Sequence, residues 1–239
     1  MVNKVKDYYE NRFSDTNSSK LAPGIVSIMY NFFKKFEISR VQITSSLIDS
    51  GDKILDLGVG GGKLLINSKK KKKFNKYFGL DISSKVIASA KKNIENELGS
   101  IENFEFKIWD INNGIPYPDL YFDTLSCVAV LEHLFDPYFF ISEAKRVLKK
   151  GGTLIIEVPN LVWLPRRLSV LFGKLPITGN DIGWDAGHLH YFTFGSLERF
   201  LKNSGFKVEK KTTSGIFCSV RQFFPSLLGG DIIIKSKKD

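Results

Sequence analysis

The residues whose types and spacing best suit chemistry are Asp56, Gly58, Gly60 and Gly62, within the stretch ILDLGVGGGK, and the chain's three histidines, His133, His188 and His190. Ile54, Leu55 and Leu57 frame Asp56, and the apolar-rich KLLI follows the glycines at once. This pattern predicts a buried strand, a tight turn and a helix start. Glycine suits such a turn because it accepts positive φ and lets a ligand reach the backbone where no Cβ intervenes. The helix start offers unpaired N–H groups and a positive dipole end to an anionic group. Histidine gives or takes a proton near neutral pH.

Spacing narrows the ligand. A dinucleotide fingerprint needs its third glycine at position 63, where Lys63 stands. The motif present is Asp-x-Gly-x-Gly-x-Gly, from Asp56 to Gly62, with Asp81 closing the next predicted strand, YFGLD. Together they resemble motif I and motif II of the class I S-adenosylmethionine (SAM)-dependent methyltransferases, and the resemblance runs from about Lys53 to Phe206. A structural turn in another doubly wound domain is the alternative for the glycine loop alone.

The resemblance implies SAM as cofactor and assigns roles residue by residue. Asp81 would accept from both ribose hydroxyls. Asp110, ending FEFKIWDI, would accept from the adenine amino group or else cap the following turn, with Ile111 as a backbone neighbour. Asp56, Gly58, Gly60, Gly62, Ile82 and Val130 complete the implied cofactor-binding set. FDTLSCVAVLEHLFDP resembles the family's post-I and fourth motifs, including Leu131, Glu132 and His133, and lacks the Asn/Asp-Pro-Pro-aromatic signature of amide and adenine methylation. His133 would touch donor or acceptor, or else bond a neighbouring loop. GHLHYFTFGSLERFLKNSGF resembles the group containing MetW-like proteins and the sugar, quinone and small-molecule methyltransferases.

On an extended segment His188 and His190 point the same way. His190 is the first candidate for a general base, with a structural hydrogen bond as its alternative. With no cysteine or carboxylate close in sequence, the pair makes a poor metal site, and no metal is expected. Arg166 and Arg167 offer either an anion clamp or a solvated helix face.

The elements that position these residues follow from periodicity. From Lys53 strands alternate with helices, near 53–57, 76–80, 103–109, 121–128 and 153–158. Ser83 caps one helix; Asp136 with Pro137 starts another, which is expected to stop at Gly151 and Gly152. Thr193 caps a third, terminated by Gly205. The expected fold is α/β, a doubly wound Rossmann-like, mostly parallel seven-stranded sheet with helices on both faces. Residues 1–50 would form an N-terminal arm and helical cover, with Tyr8 and Tyr9 in the arm; 51–239 the methyltransferase domain; and 161–192 a substrate-lid insertion after the fifth strand, too long for a simple connection.

Composition sets the outer bounds. A chain of 239 residues is long enough for one good core. No signal peptide and no membrane span are evident, and the two cysteines, Cys127 and Cys218, have no metal spacing, so a reduced cytoplasmic setting is expected. The formal charge of +10 is dispersed over helix faces. Its densest run, Lys69 to Lys73, complements a predicted helix C-terminus. The resemblance implies a small-molecule or glycan acceptor methylated at oxygen, an anionic one being compatible with the charge, and the dispersal of that charge disfavours nucleic acid. A catalytically silent MetW-like partner protein and an RNA methyltransferase are the competing readings.

Overall fold

The computed structural model describes residues 36–71, 73–176, 178 and 187–239. Residues 1–35 of the expected N-terminal arm and helical cover, Tyr8 and Tyr9 among them, lie outside the described residues.

Seven strands form one sheet: β1 (Lys53–Leu57), β2 (Lys76–Asp81), β3 (Phe104–Ile108), β4 (Phe122–Val128), β5 (Leu148–Pro159), β6 (Phe206–Thr212) and β7 (Asp231–Lys238). Their order is β3-β2-β1-β4-β5-β7-β6. The first five are parallel, and β7 pairs antiparallel with both β5 and β6. A second, two-stranded pairing joins Glu37–Ile38 to Gly215–Ile216. The fold is the mixed α/β, mostly parallel seven-stranded arrangement expected.

The helices are α1 (Arg40–Leu47), α2 (Lys63–Lys70), α3 (Ser84–Leu98), α4 (Pro137–Val147), α5 (Leu164–Leu171), α6 (Phe194–Asn203), α7 (Cys218–Arg221) and α8 (Pro225–Leu228). Central strands covered on both faces carry near-continuous apolar runs, and alternation sends successive side chains into two cores. Leu55, Leu57, Phe78 and Leu80 pack with Phe122, Phe140, Ile141 and Leu197. Ile54, Tyr77 and Ile155 pack on the other side with Leu65, Ile87 and Ala90.

The caps fall where expected. Ser83 Oγ accepts from the Val86 amide, Asp136 from the Tyr138 and Phe139 amides, and Thr193 from the Ser196 amide. The end of α4 differs. The helix stops at Val147, and Leu148 already pairs with Phe122 as the start of β5, so Gly151 and Gly152 lie inside a register irregularity of the strand. The reason is burial: Leu148 is fully enclosed and adopts an extended backbone, so the Gly-Gly turn serves the strand entry rather than the helix exit.

Lys70, Lys71 and Lys73 of the basic run have partners within the fold. Lys70 pairs with Glu97 at 2.5 Å, Lys71 reaches Ser45 Oγ at 3.5 Å, and Lys73 donates to the Ile48 carbonyl. Among the described residues no helix is long and apolar enough to cross a membrane.

Candidate active site

Because β1 to β5 are parallel, their carboxyl ends share one edge, where ligands of open α/β sheets bind. Gly58 to Gly62 follow β1, Asp81 ends β2, Asp110 follows β3, and Ala129 to His133 follow β4.

The turn after β1 is held by backbone bonds. The amides of Gly58 and Val59 donate to the Leu80 carbonyl at 2.9 and 3.0 Å, and the Gly62 amide donates to the Val59 carbonyl at 3.0 Å. Gly58, Gly60 and Gly62 take φ of +69°, +51° and +76°, the left-handed region that an L side chain resists. A Cβ on Gly58 would lie 2.3 Å from Val130 Cγ2. At Gly60 the nearest atom to a Cβ would be the Gly58 carbonyl oxygen at 3.9 Å, so the backbone there faces open space. The loop is thus a cradle that side chains would fill.

Asp81 binds that loop to the next helix. Its Oδ1 accepts from the Ser83 amide at 3.0 Å and its Oδ2 from the Gly60 amide at 3.4 Å. Asp110 caps a short turn at Ile111–Asn113, its Oδ1 accepting from both the amide and the side-chain nitrogen of Asn112 at 2.9 Å. Asn112 Oδ1 in turn accepts from the Phe135 amide at 2.9 Å, which ties the β3 end to the loop after β4. Ile82 is half-buried beside Asp81, Ile111 is buried, and Val130 packs against the core as it fills the space beside Gly58.

Asp56 lies deeper, on β1 itself. Its Oδ1 accepts from Ser126 Oγ of β4 at 2.7 Å. Burial pushes its carboxyl up to about 7, against the Ser126 hydrogen bond and with help from the Asp81 charge. A carboxyl whose folded value lies above its unfolded one contributes stability below the unfolded pKa and loses it as pH rises through the interval. Here that interval runs from 3.8 to about 7. Asp56→Asn should therefore shrink the fall in Tm between pH 5 and pH 8, the neutral amide keeping the Ser126 bond. Thermal melts of both proteins across that range check it, and equal slopes would show that Asp56 does not drive the fall.

The three histidines gather after β4, but not as one row. Ala129 takes φ +54°, a conformation costly for a residue with a Cβ and found where a backbone is held for a purpose. It turns the chain into the short helix Leu131–His133. The returning strap of the insertion then docks there: the amides of Leu189 and His190 donate to the Glu132 carbonyl at 2.8 and 3.1 Å. The strap is tied to the end of β5 by the Leu161 amide donating to the Phe192 carbonyl at 3.0 Å.

His133 and His188 meet with ring centroids 4.7 Å apart. His133 Nδ1 lies 3.2 Å from the Gly187 carbonyl oxygen, and His188 Nδ1 lies 2.6 Å from Thr178 Oγ1. The Nε2 atom of each lies 3.9 Å from Glu132 Oε1. His190, whose amide is bonded to the Glu132 carbonyl, has a buried Nε2 with no hydrogen-bond partner among the described residues.

Sequence reasoning missed Glu132 as a site residue. It is 1% exposed, and burial, reinforced by the Glu157 carboxylate, pushes its carboxyl up to about 8. The available signal was a charged residue at an apolar strand end immediately before a histidine. The carboxylate that His188 lacks in sequence is therefore present in space, shared with His133 rather than with His190.

The arginines also resolve. Arg166 donates to the carbonyls of Asn160, Gly230 and Thr178 and stacks over Trp163, and Arg167 donates to the Val162 carbonyl at 2.5 Å. Arg166 fastens the insertion to the ends of β5 and β7, whereas Arg167 is exposed and bonds within the insertion, as a solvated helix face would.

Comparison with known proteins identifies the family. A family model described as Methyltransferase domain matches residues 48–184. The chain belongs to this family, and it is a SAM-dependent methyltransferase of Rossmann-like fold. It is 29% identical over 188 residues to the ubiquinone/menaquinone biosynthesis C-methyltransferase UbiE of Chromobacterium violaceum, covering 72% of this chain and 75% of that one. An uncharacterized methyltransferase of Schizosaccharomyces pombe is 30% identical over 115 residues, which span 46% of this chain and 41% of that protein. Among solved structures, magnesium protoporphyrin IX methyltransferase from Synechocystis with bound SAH superposes with a TM-score of 0.67 over 100% of both chains at 16% identity. That similarity shows the fold alone.

Proposed function

We propose that this methyltransferase acts on a hydroxyl oxygen of a small-molecule or glycan-type acceptor, with His190 as general base. The carrying observation is that the glycine turn, Asp81 and the histidine group lie at the ends of β1, β2 and β4 on one sheet edge. Donor site and base therefore border the same cleft. SAM supplies a methyl group already activated by its sulfonium, so the chain's own tasks are alignment, exclusion of water and removal of the acceptor proton. Asp81 would hold the ribose, Asp110 and Ile111 the adenine, and the open backbone at Gly60 the methionine end. His190 Nε2, buried and unpartnered, is suited to receive a proton. In this reading residues 51–239 form the catalytic domain and 161–192 the acceptor lid.

The likeness to UbiE, a C-methyltransferase of ubiquinone/menaquinone biosynthesis, supports a second reading, methylation at a carbon of the acceptor. Incubation with methyl-labelled SAM and extracted metabolites, glycans or RNA tests the proposal. Label in a small-molecule or glycan fraction, stable as an ether rather than a carbon-bound methyl, is expected. Label in RNA alone, or transfer to none of the three, would overturn it in favour of the competing readings.

Asp81→Ala should weaken SAM binding by about 1.5–3 kcal/mol, the scale of a charge-assisted hydrogen bond. Calorimetric titration decides this, and unchanged affinity in a folded variant would remove Asp81 from the site. A melting temperature close to wild type would separate ligand contact from its bonds to Gly60 and Ser83.

A further inference from the structure

We propose that Glu132, His133 and His188 form a site for one divalent transition-metal ion, whose open position takes the acceptor's oxygen; this rests on the methyl-transfer reading above. Their donor atoms lie within 4.8 Å of one another. Glu132 Oε1 stands 3.9 Å from the Nε2 atom of each histidine. Those separations exceed hydrogen bonds. They approach the edge of a tetrahedral site, roughly 3.4 Å for bonds of about 2.1 Å, which a shift of about half an ångström would reach.

The second ring nitrogens are arranged as they are in metal sites. A carbonyl oxygen only accepts, so the contact to Gly187 puts a His133 proton on Nδ1, while Nε2 lies 3.9 Å from Glu132 Oε1. Thr178 Oγ1, 2.6 Å from His188 Nδ1, holds that ring in place in turn, its hydroxyl able to donate or accept. Such outer partners fix tautomer and ring orientation for a ligating imidazole. A further observation is Glu132 Oε2, a buried carboxyl oxygen with no hydrogen-bond partner. Buried polar atoms are rarely left so, and a cation would satisfy this one.

The donor set selects the ion class. Two imidazoles and one carboxylate suit zinc, iron(II), cobalt or manganese better than calcium or magnesium, which favour all-oxygen shells. Three protein ligands leave a coordination position for substrate, as in catalytic rather than structural sites. The position borders the cofactor cleft, since Val130, two residues before Glu132, abuts Gly58. An acceptor hydroxyl bound there would lose its proton more easily. His190, which is not among the ligands, receives that proton.

The test uses the full chain without a histidine tag, stripped by chelator and titrated with zinc chloride and cobalt chloride. One ion per chain is expected by calorimetry and elemental analysis, with visible cobalt absorption reporting nitrogen and oxygen coordination. Glu132→Gln and His188→Asn should each weaken zinc by about 100-fold or more while SAM still binds. SAM binding serves as the folding control, and the nearly isosteric Glu132→Gln guards against simple loss of structure. No stoichiometric ion in the wild-type chain, or undiminished binding in both variants, would overturn the metal site while leaving the methyltransferase reading intact. Metal binding without methyl transfer to any hydroxyl acceptor would instead overturn the proposed function, and with it the substrate role of the ion.

Discussion

His190→Ala is expected to lower kcat by about 10²- to 10⁴-fold, the usual worth of a positioned general base, with SAM affinity unchanged. The expectation rests on the place of the ring. Its backbone amide is bonded to the Glu132 carbonyl at 3.1 Å, so the strap holds it against the loop after β4, and its Nε2 is buried without a partner. A base that works only on the acceptor leaves cofactor binding alone. Exogenous imidazole should restore part of the lost rate, a readout that a merely structural histidine would not move. Near-normal turnover in the variant would show that proton removal needs no separate histidine base. Loss of SAM binding would make His190 part of a closure over the cofactor.

Gly58→Val should abolish measurable SAM binding, and it should do so more completely than Gly60→Ala. Both positions have positive φ, but at Gly58 a Cβ would also sit 2.3 Å from Val130 Cγ2, whereas at Gly60 it would meet nothing closer than 3.9 Å. Substitution at Gly58 must therefore displace the turn or the loop carrying Val130, and with it the short helix ending in His133. Backbone strain of this kind costs on the order of 1–3 kcal/mol, which the well-packed domain can bear better than the cradle can. Calorimetric titration beside thermal melts checks it. Retained SAM affinity, or a loss of Tm that fully accounts for the loss of binding, would show that the turn is only structural.

Local chemistry was legible wherever it depends on neighbours in the chain. The glycine turn, the caps at Ser83, Asp136 and Thr193, and the five parallel strands follow from spacing, because hydrogen bonding and burial there are set within a few residues. The same local rule misplaced the end of α4. Gly151 and Gly152 read as a helix stop, but the buried Leu148 and its pairing with Phe122 claimed that stretch for β5.

What the amino-acid sequence determined by itself is the cofactor edge: Asp56 to Gly62 and Asp81 belong to two consecutive strand ends, so their neighbourhood is a consequence of order along the chain. Tertiary structure alone decided the acceptor edge. His133 and His188 are 55 positions apart and meet only because the insertion after β5 folds back, pinned by Asn160, Arg166 and the Phe192 carbonyl, so that its amides reach the Glu132 carbonyl. Glu132 reads as one charge in an apolar run until that return places His188 Nε2 3.9 Å from its carboxylate, as near as the Nε2 of the adjacent His133. Side-chain periodicity carries no information about contacts closed by such a loop, since the free energy that closes it comes from distant backbone groups.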